Sequence, residues 1–199
     1  MKKVLFLEGN LNTIENSYSS QMLRNFYKQY KIAHPQDEVE FINLNDTEFN
    51  QVFLLAENMS NYWTKINSDK WIDKLKSIDK LVISCQMVNF GPTAIVKNFI
   101  DGIAVANKTF SYKYSKKGDA KGLLDHLSVM VIASQGAPRD WYLWGSHIEW
   151  LKGTWKFLGA KKVETIEITG TKIAPINAMT ASEYADSKTN ELFEIAKKF

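Results

Sequence analysis

The sequence predicts an α/β domain: a parallel sheet with helices on both faces. Three observations carry this. Short apolar runs rich in β-forming residues alternate, about five times over, with stretches whose apolar residues recur at helical spacing. Leu81-Val82-Ile83-Ser84-Cys85 is apolar enough throughout to be buried on both faces, as central parallel strands are. No linker, repeat or composition break divides the 199 residues, so one domain is expected over 1–199.

In chain order, Val4-Leu5-Phe6-Leu7 reads as the first strand, ended by Gly9-Asn10. A polar loop runs to about Asn16. Met22, Leu23, Phe26, Tyr30 and Ala33 then mark one face of a helix. Val39 to Leu44 is the second strand, Asp46 to Ser60 a stretch with a short helix at most, and Tyr62 to Ile78 a helix. After the third strand, Gly91-Pro92 opens a helix with Pro at the first helical position, where its missing N–H costs nothing. Ile95, Val96, Phe99, Ile100 and Ile103 give that helix its apolar face. Thr109 to Tyr114 alternates like half of a hairpin, with the turn near Gly118. Leu127 to Ala133 is the fourth main strand, Trp141 to Leu158 a helix, Val163 to Ile168 the fifth strand, and Ser182 to Lys198 the closing helix.

Composition narrows the function classes. Hydrophobic residues make up 45% of the chain, which argues against disorder. No apolar run approaches the ~18 residues of a membrane span, and Glu8 interrupts the first one, which reads as a strand rather than a signal peptide. The net charge is +3, and Arg24 and Arg139 are the only arginines. Bidentate phosphate and guanine recognition leans on Arg, so no nucleic-acid partner is expected; the basic stretch from Lys113 to Lys121 reads as a solvated loop. The one cysteine, Cys85, excludes an internal disulfide, fits a reducing, cytoplasmic compartment, and reads as an inert buried thiol.

Ligands of parallel α/β sheets sit outside the carboxyl ends of the strands. That rule selects three loops: Gly9 to Ser20, Gln86 to Gly91, and Ser134 to Ala137. In the first, Asn10, Ser17, Ser19 and Ser20 precede a helix whose unpaired N–H groups and positive dipole end suit a phosphate. The same serines also suit simple helix capping. Paired glycines of a dinucleotide fingerprint and a phosphate-loop Gly-Lys-Ser/Thr are both missing, so a monophosphate fits better than a triphosphate. In the second, Met87 to Phe90 could lay backbone groups along a flat heterocycle between apolar walls, or simply close a strand with Gly-Pro. In the third, Ser134-Gln135-Gly136 could add backbone donors to the same ring.

Other chemistry is poorly supported. His147 and Glu149 lie two apart, and no three side chains show sound metal-ligand spacing, so no metal is expected. His126 reads as a surface or strand-end histidine, and Ser134 lacks the nucleophile elbow of hydrolases. Trp141, Trp144, Trp150 and Trp155 make a tryptophan-rich helical region, read as core first and as a subunit interface or aromatic pocket second.

Met87-x-Asn89-Phe90, followed in order by Lys97-Asn98-Phe99-Ile100-Asp101 and Thr109-Phe110-x-Tyr112, resembles the FMN-dependent NADH azoreductases, also called NADH:quinone oxidoreductases. The Lys3-Val4-Leu5 opening, Ser17-x-Ser19 and Phe157-x-Gly159 agree, and the similarity runs from Lys3 to about Val163 and more loosely to the end. The resemblance implies a flavodoxin-like three-layer sandwich with a five-stranded parallel sheet and a small hairpin insertion. It implies FMN as cofactor, NADH or NADPH as reductant, quinones or azo compounds as acceptors, and a homodimer with two sites at the interface. Ser17, Tyr18 and Ser19 would hold the FMN phosphate with Asn10 nearby. Met87, Val88, Asn89 and Phe90 would line the isoalloxazine ring, and Ser134, Gln135, Gly136 and Ala137 its other edge. Tyr112 and Phe157 would help to form the substrate pocket, in part from the neighbouring subunit. No side chain is assigned as acid or base, because the flavin carries the hydride.

The chain departs from the family pattern. Val88 replaces the Tyr of Met-Tyr-Asn-Phe, Gln86 the common preceding Pro, and Gln135 and Ala137 stand in Ser-Arg-Gly-Gly. The lost Arg removes a positive charge near the flavin. Two other readings stay open. A non-catalytic flavodoxin-like carrier is opposed by the pI of about 8.8 and the hairpin around Tyr112. An acyl-carrier-protein phosphodiesterase, a label the family has carried, lacks visible ligands or an activated nucleophile.

Overall fold

Parallel neighbours cannot be joined by a tight turn, so each strand needs a crossover, and helices supply it. In the computed structural model, which describes residues 1–113 and 120–199, the elements run β1 (Lys3–Glu8), α1 (Tyr18–Ala33), β2 (Glu38–Asn43), α2 (Tyr62–Lys65), α3 (Ser68–Ser77), β3 (Lys80–Gln86), α4 (Ala94–Ile103), β4 (Phe110–Ser111), β5 (Lys121–Gly122), β6 (Ser128–Gln135), α5 (His147–Phe157), β7 (Lys162–Thr169), α6 (Ala181–Ser187) and α7 (Thr189–Lys198).

The main sheet has five strands in the order β2-β1-β3-β6-β7. All four pairings are parallel. The strand order reverses at β1 and β3, which opens a crevice at their carboxyl ends. Side chains alternate across the sheet. Leu5, Leu7, Leu81, Ile83, Val129 and Val131 pack with Leu75, Phe99 and Trp155 of α3, α4 and α5. Val4, Phe6, Val82, Met130 and Ile132 pack with Phe26 of α1 and Leu192 of α7. These two clusters are the two halves of a three-layer sandwich.

The small hairpin pairs β4 with β5 antiparallel, Phe110 opposite Gly122. Its expected turn near Gly118 lies outside the described residues. Several expected boundaries move. The helix read from Tyr62 to Ile78 is two helices, because Asn67 adopts a left-handed backbone (φ 54°) between them. The closing helix is likewise split into α6 and α7. Asp46 to Ser60 holds only short 3-10 turns, at Glu48–Asn50 and Ala56–Asn58, after one at Leu44–Asp46.

Two corrections bear on function. The helix expected from Trp141 begins only at His147, because the Ser146 hydroxyl accepts from the Glu149 N–H and caps it there. Trp141 therefore ends a separate 3-10 turn (Arg139–Trp141) and Trp144 stands on the loop after it, both largely exposed, whereas Trp155 is core. The helix expected at Pro92 begins at Ala94, where the Thr93 hydroxyl accepts from the Val96 N–H. The fourth strand also runs further than read. Ser134 and Gln135 pair with Ile168 and Thr169 and so belong to β6.

Candidate functional site

The three loops selected from sequence meet at the carboxyl edge of the sheet. Asn10 lies at their junction, buried just after β1. Its amide donates to the Ser20 and Ser84 hydroxyls, each at 2.9 Å, and its Oδ1 accepts from the Ser19 hydroxyl at 2.8 Å. Ser134 Oγ donates in turn to Ser19 Oγ at 3.1 Å. One buried polar chain thus joins the loop after β1, the first turn of α1, and the ends of β3 and β6.

Ser17 is the N-cap of α1: its Oγ accepts from the Ser20 N–H at 3.2 Å. The capping reading therefore holds for Ser17, and an accepting hydroxyl still has its own proton to donate. The Tyr18 phenol turns away and donates to the carbonyls of Met179 (2.7 Å) and Ile176 (3.2 Å). A cavity of about 130 Å³ opens beside this turn, lined by Ser17, Tyr18, Gln86, Met87, Ser134, Gly136 and others. Asn10 and Ser19 lie beneath it and not on its lining. An outer cavity of about 780 Å³ adjoins it through Asn12, Asn16, Tyr18, Thr171 and Lys172. A hollow of about 440 Å³ lies at the opposite edge, by Lys3 and Glu38. There Lys74 and Glu40 pair across 2.7 Å, so that hollow is a self-neutralised surface groove.

After β3, Val88 and Gly91 exchange both backbone hydrogen bonds, at 2.9 and 3.0 Å. The two residues between them, Asn89 (φ 46°) and Phe90 (φ 72°), are both left-handed. This is the turn that usually requires Asn-Gly. A Phe in that region costs on the order of 1–3 kcal/mol and must be held there by its surroundings. The surroundings are visible: the Phe90 ring packs 4.3 Å from Trp144 and edge-on to Tyr142 at 5.3 Å. A Cβ on Gly145 would come within 2.8 Å of that ring, so only glycine fits beneath it. Met87 is half-buried and Val88 is exposed.

After β6, Gln135 folds its amide back onto the carbonyls of Ala137 (3.0 Å) and Pro138 (3.2 Å). The segment after β7 is zipped along this loop: the N–H groups of Gly170, Thr171 and Lys172 donate to the carbonyls of Ala137, Gln135 and Gly136. Sequence reasoning missed Thr171 and Lys172, although the strand-end rule that picked three loops also covers the end of β7.

Beneath β6, His147 is wholly buried at the start of α5, and neither ring nitrogen has a hydrogen-bond partner. Burial pushes its imidazole down to about 4, with the nearby Ser134 carbonyl opposing weakly. Burial likewise pushes the Cys85 thiol up to about 11, which keeps it unreactive. Among the described residues no group of His, Cys, Asp and Glu could hold a metal ion.

A family model described as a flavodoxin-like fold matches residues 2–191. The FMN-dependent NADH:quinone oxidoreductase of Mycoplasmopsis synoviae (strain 53) is 59% identical over 199 residues, the full length of both chains. The chain belongs to the FMN-dependent NADH:quinone oxidoreductase family. Structures related to this family agree on the fold. An azoreductase from Bacillus anthracis superposes with a TM-score of 0.80 at 24% identity, over all of both chains. An FMN-dependent NADH-azoreductase of the same species, solved with FMN, gives 0.76 at 22% identity, over 100% of this chain and 99% of that one.

Two residues that the family resemblance placed in the substrate pocket are not near these loops within the chain. Phe157 ends α5, which runs from the carboxyl edge back to the amino edge of the sheet. An 11-residue helix spans about 16 Å. Tyr112 follows β4 at that same far edge, where Leu124 N–H donates to the Leu158 carbonyl. Phe110 joins the pair, 4.9 Å from Phe157 and 5.5 Å from Tyr112. Tyr112 is 65% and Phe157 40% exposed, so the pair faces outward.

Proposed function

We propose that this chain is an FMN-dependent NADH:quinone oxidoreductase that also reduces azo compounds, working as a homodimer in the cytoplasm. The observation that carries the reading is the full-length identity of 59% to a protein of that name, together with three strand-end loops that meet at one crevice. Quinones and azo compounds are the acceptor class; no nucleic acid or membrane enters the reading, and no helix of the described residues is long and apolar enough to cross one.

The residues suit FMN on structural grounds. The first N–H groups of α1 and the Ser17 hydroxyl offer donors of the kind a phosphate takes. Gln86 lines the same cavity with a buried Oε1 that has no partner among the described residues. Such an atom is costly unless a ligand group supplies a donor. Tyr18 and Ser19 would contribute backbone N–H groups, while Asn10 and Ser19 hold the loops in register from below and Ser134, which bonds Ser19, would also border the ring. Met87, Val88, Asn89 and Phe90 would border one edge of the flavin ring, and Gln135, Gly136 and Ala137 another.

Bound FMN would supply the chemistry, accepting a hydride from NADH and then passing two electrons to the acceptor. The chain's work is positional. Its backbone groups would hold the ring edge and Met87 and Phe90 would supply apolar contact, leaving room for reductant and acceptor to bind in turn, a ping-pong order. Tyr112 and Phe157 complete the acceptor pocket of the neighbouring subunit, which explains their place at the far edge of this one.

The test is an absorbance spectrum of the purified protein with FMN, then with anaerobic NADH, then with menadione. The flavin band should bleach and return. A band that never bleaches removes the reductase reading, and bleaching without catalytic NADH consumption would leave only an electron carrier.

A further inference from the structure

Lys172 is the one cationic side chain that lines either cavity beside the α1 N-terminus, among the described residues. Its backbone N–H donates to the Gly136 carbonyl at 3.0 Å, which fixes its Cα against the loop after β6. Its stem lies across Gly136, since a Cβ there would come within 2.9 Å of the lysine Cγ. Both cavities that it lines also contain Asn12, Asn16 and Tyr18, the residues flanking the capped turn at Ser17. Among the described residues no carboxylate pairs with it, whereas Arg139, the other cation of this edge, is held by Glu149 (3.0 Å) and Glu167 (2.7 Å). Glu15 lines the outer cavity only, so the inner one carries Lys172 unopposed.

We propose that Lys172 is the cation that binds the FMN phosphate, closing over it from the end of β7 while α1 receives it from below. The inference rests on the flavin reading above and adds a residue to it. Physically, a helix end offers a dianionic phosphate only partial positive charge, and Lys adds a full one as a point charge on a flexible stem. The end of β6 carries Gln135 where the family pattern has an arginine, so the positive charge of this edge comes from the segment after β7.

The test compares FMN with riboflavin, which lacks the phosphate, by fluorescence titration of the apoprotein. Lys172→Ala should weaken FMN about ten- to hundredfold, the range of a lost charge-assisted hydrogen bond. Riboflavin affinity should not change. Lys172→Arg should recover most of the loss, and the salt dependence of FMN binding should flatten in Lys172→Ala. Equal losses for both flavins would mean that Lys172 shapes the loop and does not meet the phosphate. An unchanged FMN affinity would overturn the assignment while leaving the flavin reading intact. A wild-type protein that takes up neither flavin would sink that reading and this one together.

Discussion

The Ser134 hydroxyl donates to the Ser19 hydroxyl across 3.1 Å, and this contact ties the end of β6 to the first turn of α1. Ser19 passes the link on to Asn10, whose amide reaches Ser20 and Ser84. Removing the outer member should be mild and removing the hub severe. Ser134→Ala should lower stability by about 1 kcal/mol, and Asn10→Ala by about 2–3 kcal/mol, because three hydroxyls then lose their partner in a buried setting. Urea unfolding gives the stabilities, and FMN affinity should fall in the same order. Equal effects of the two substitutions would contradict a hub at Asn10.

The turn Val88-Asn89-Phe90-Gly91 separates backbone strain from ring contact. Asn89→Gly should keep or slightly raise the melting temperature, since glycine accepts φ 46° freely. Asn89→Val should cost about 1–3 kcal/mol, a β-branched residue being least tolerant of that angle. Phe90→Gly relieves φ 72° but abandons Trp144 and Tyr142, so its turnover should fall although its backbone is eased. Calorimetry and steady-state quinone reduction on the same samples distinguish the two contributions.

Tyr112 and Phe157 stand at the edge opposite the strand-end loops, and the dimeric reading has them serve the other subunit. Tyr112→Ala and Phe157→Ala should each depress acceptor turnover more than FMN retention. Mixing Phe157→Ala with a phosphate-repelling Ser17→Asp variant should yield more activity than the two proteins give separately. Each mixed dimer then contains one crevice with neither lesion. Purely additive activity after subunit exchange would mean that the aromatic pair does not serve the neighbouring subunit's crevice.

His147 gives the protein an acid limb. Its imidazole sits at about 4 when folded and near 6.5 when unfolded. Between those values the unfolded chain binds the extra proton, so the contribution to stability is full above pH ~6.5 and is lost as the pH falls towards ~4, by about 3 kcal/mol in all. Chemical denaturation from pH 7.5 to 4 should show this slope, and His147→Leu should remove it. A slope that survives the substitution would assign acid sensitivity to the carboxylates instead.

The alternation of strand and helix was legible because burial on both faces forces long apolar runs, and Leu81 to Cys85 is one of them. The carboxyl-edge rule then picked three loops that the structure brings together at one edge, and a capping serine was expected before a helical period, a place that Ser17 takes. What stayed hidden depends on contacts remote in sequence. Trp141 and Trp144 fall into a helical period with Trp155, yet Gly145-Ser146 stops the helix short of them. Asn67 looks like any polar residue until its backbone is seen to be left-handed. Lys172 is unremarkable as a letter and becomes significant only once Gly136 lies under its stem.

Phe90 holds a backbone angle that its residue type avoids, and what holds it there is a pair of rings far downstream, on Tyr142 and Trp144. The shape of that corner is thus an instruction written elsewhere in the chain. A synthetic peptide of residues 84–101 should relax out of it in water. A small molecule wedged under the exposed indole of Trp144 would take away the ring that holds Phe90 and spring the corner by leverage, from outside the crevice itself.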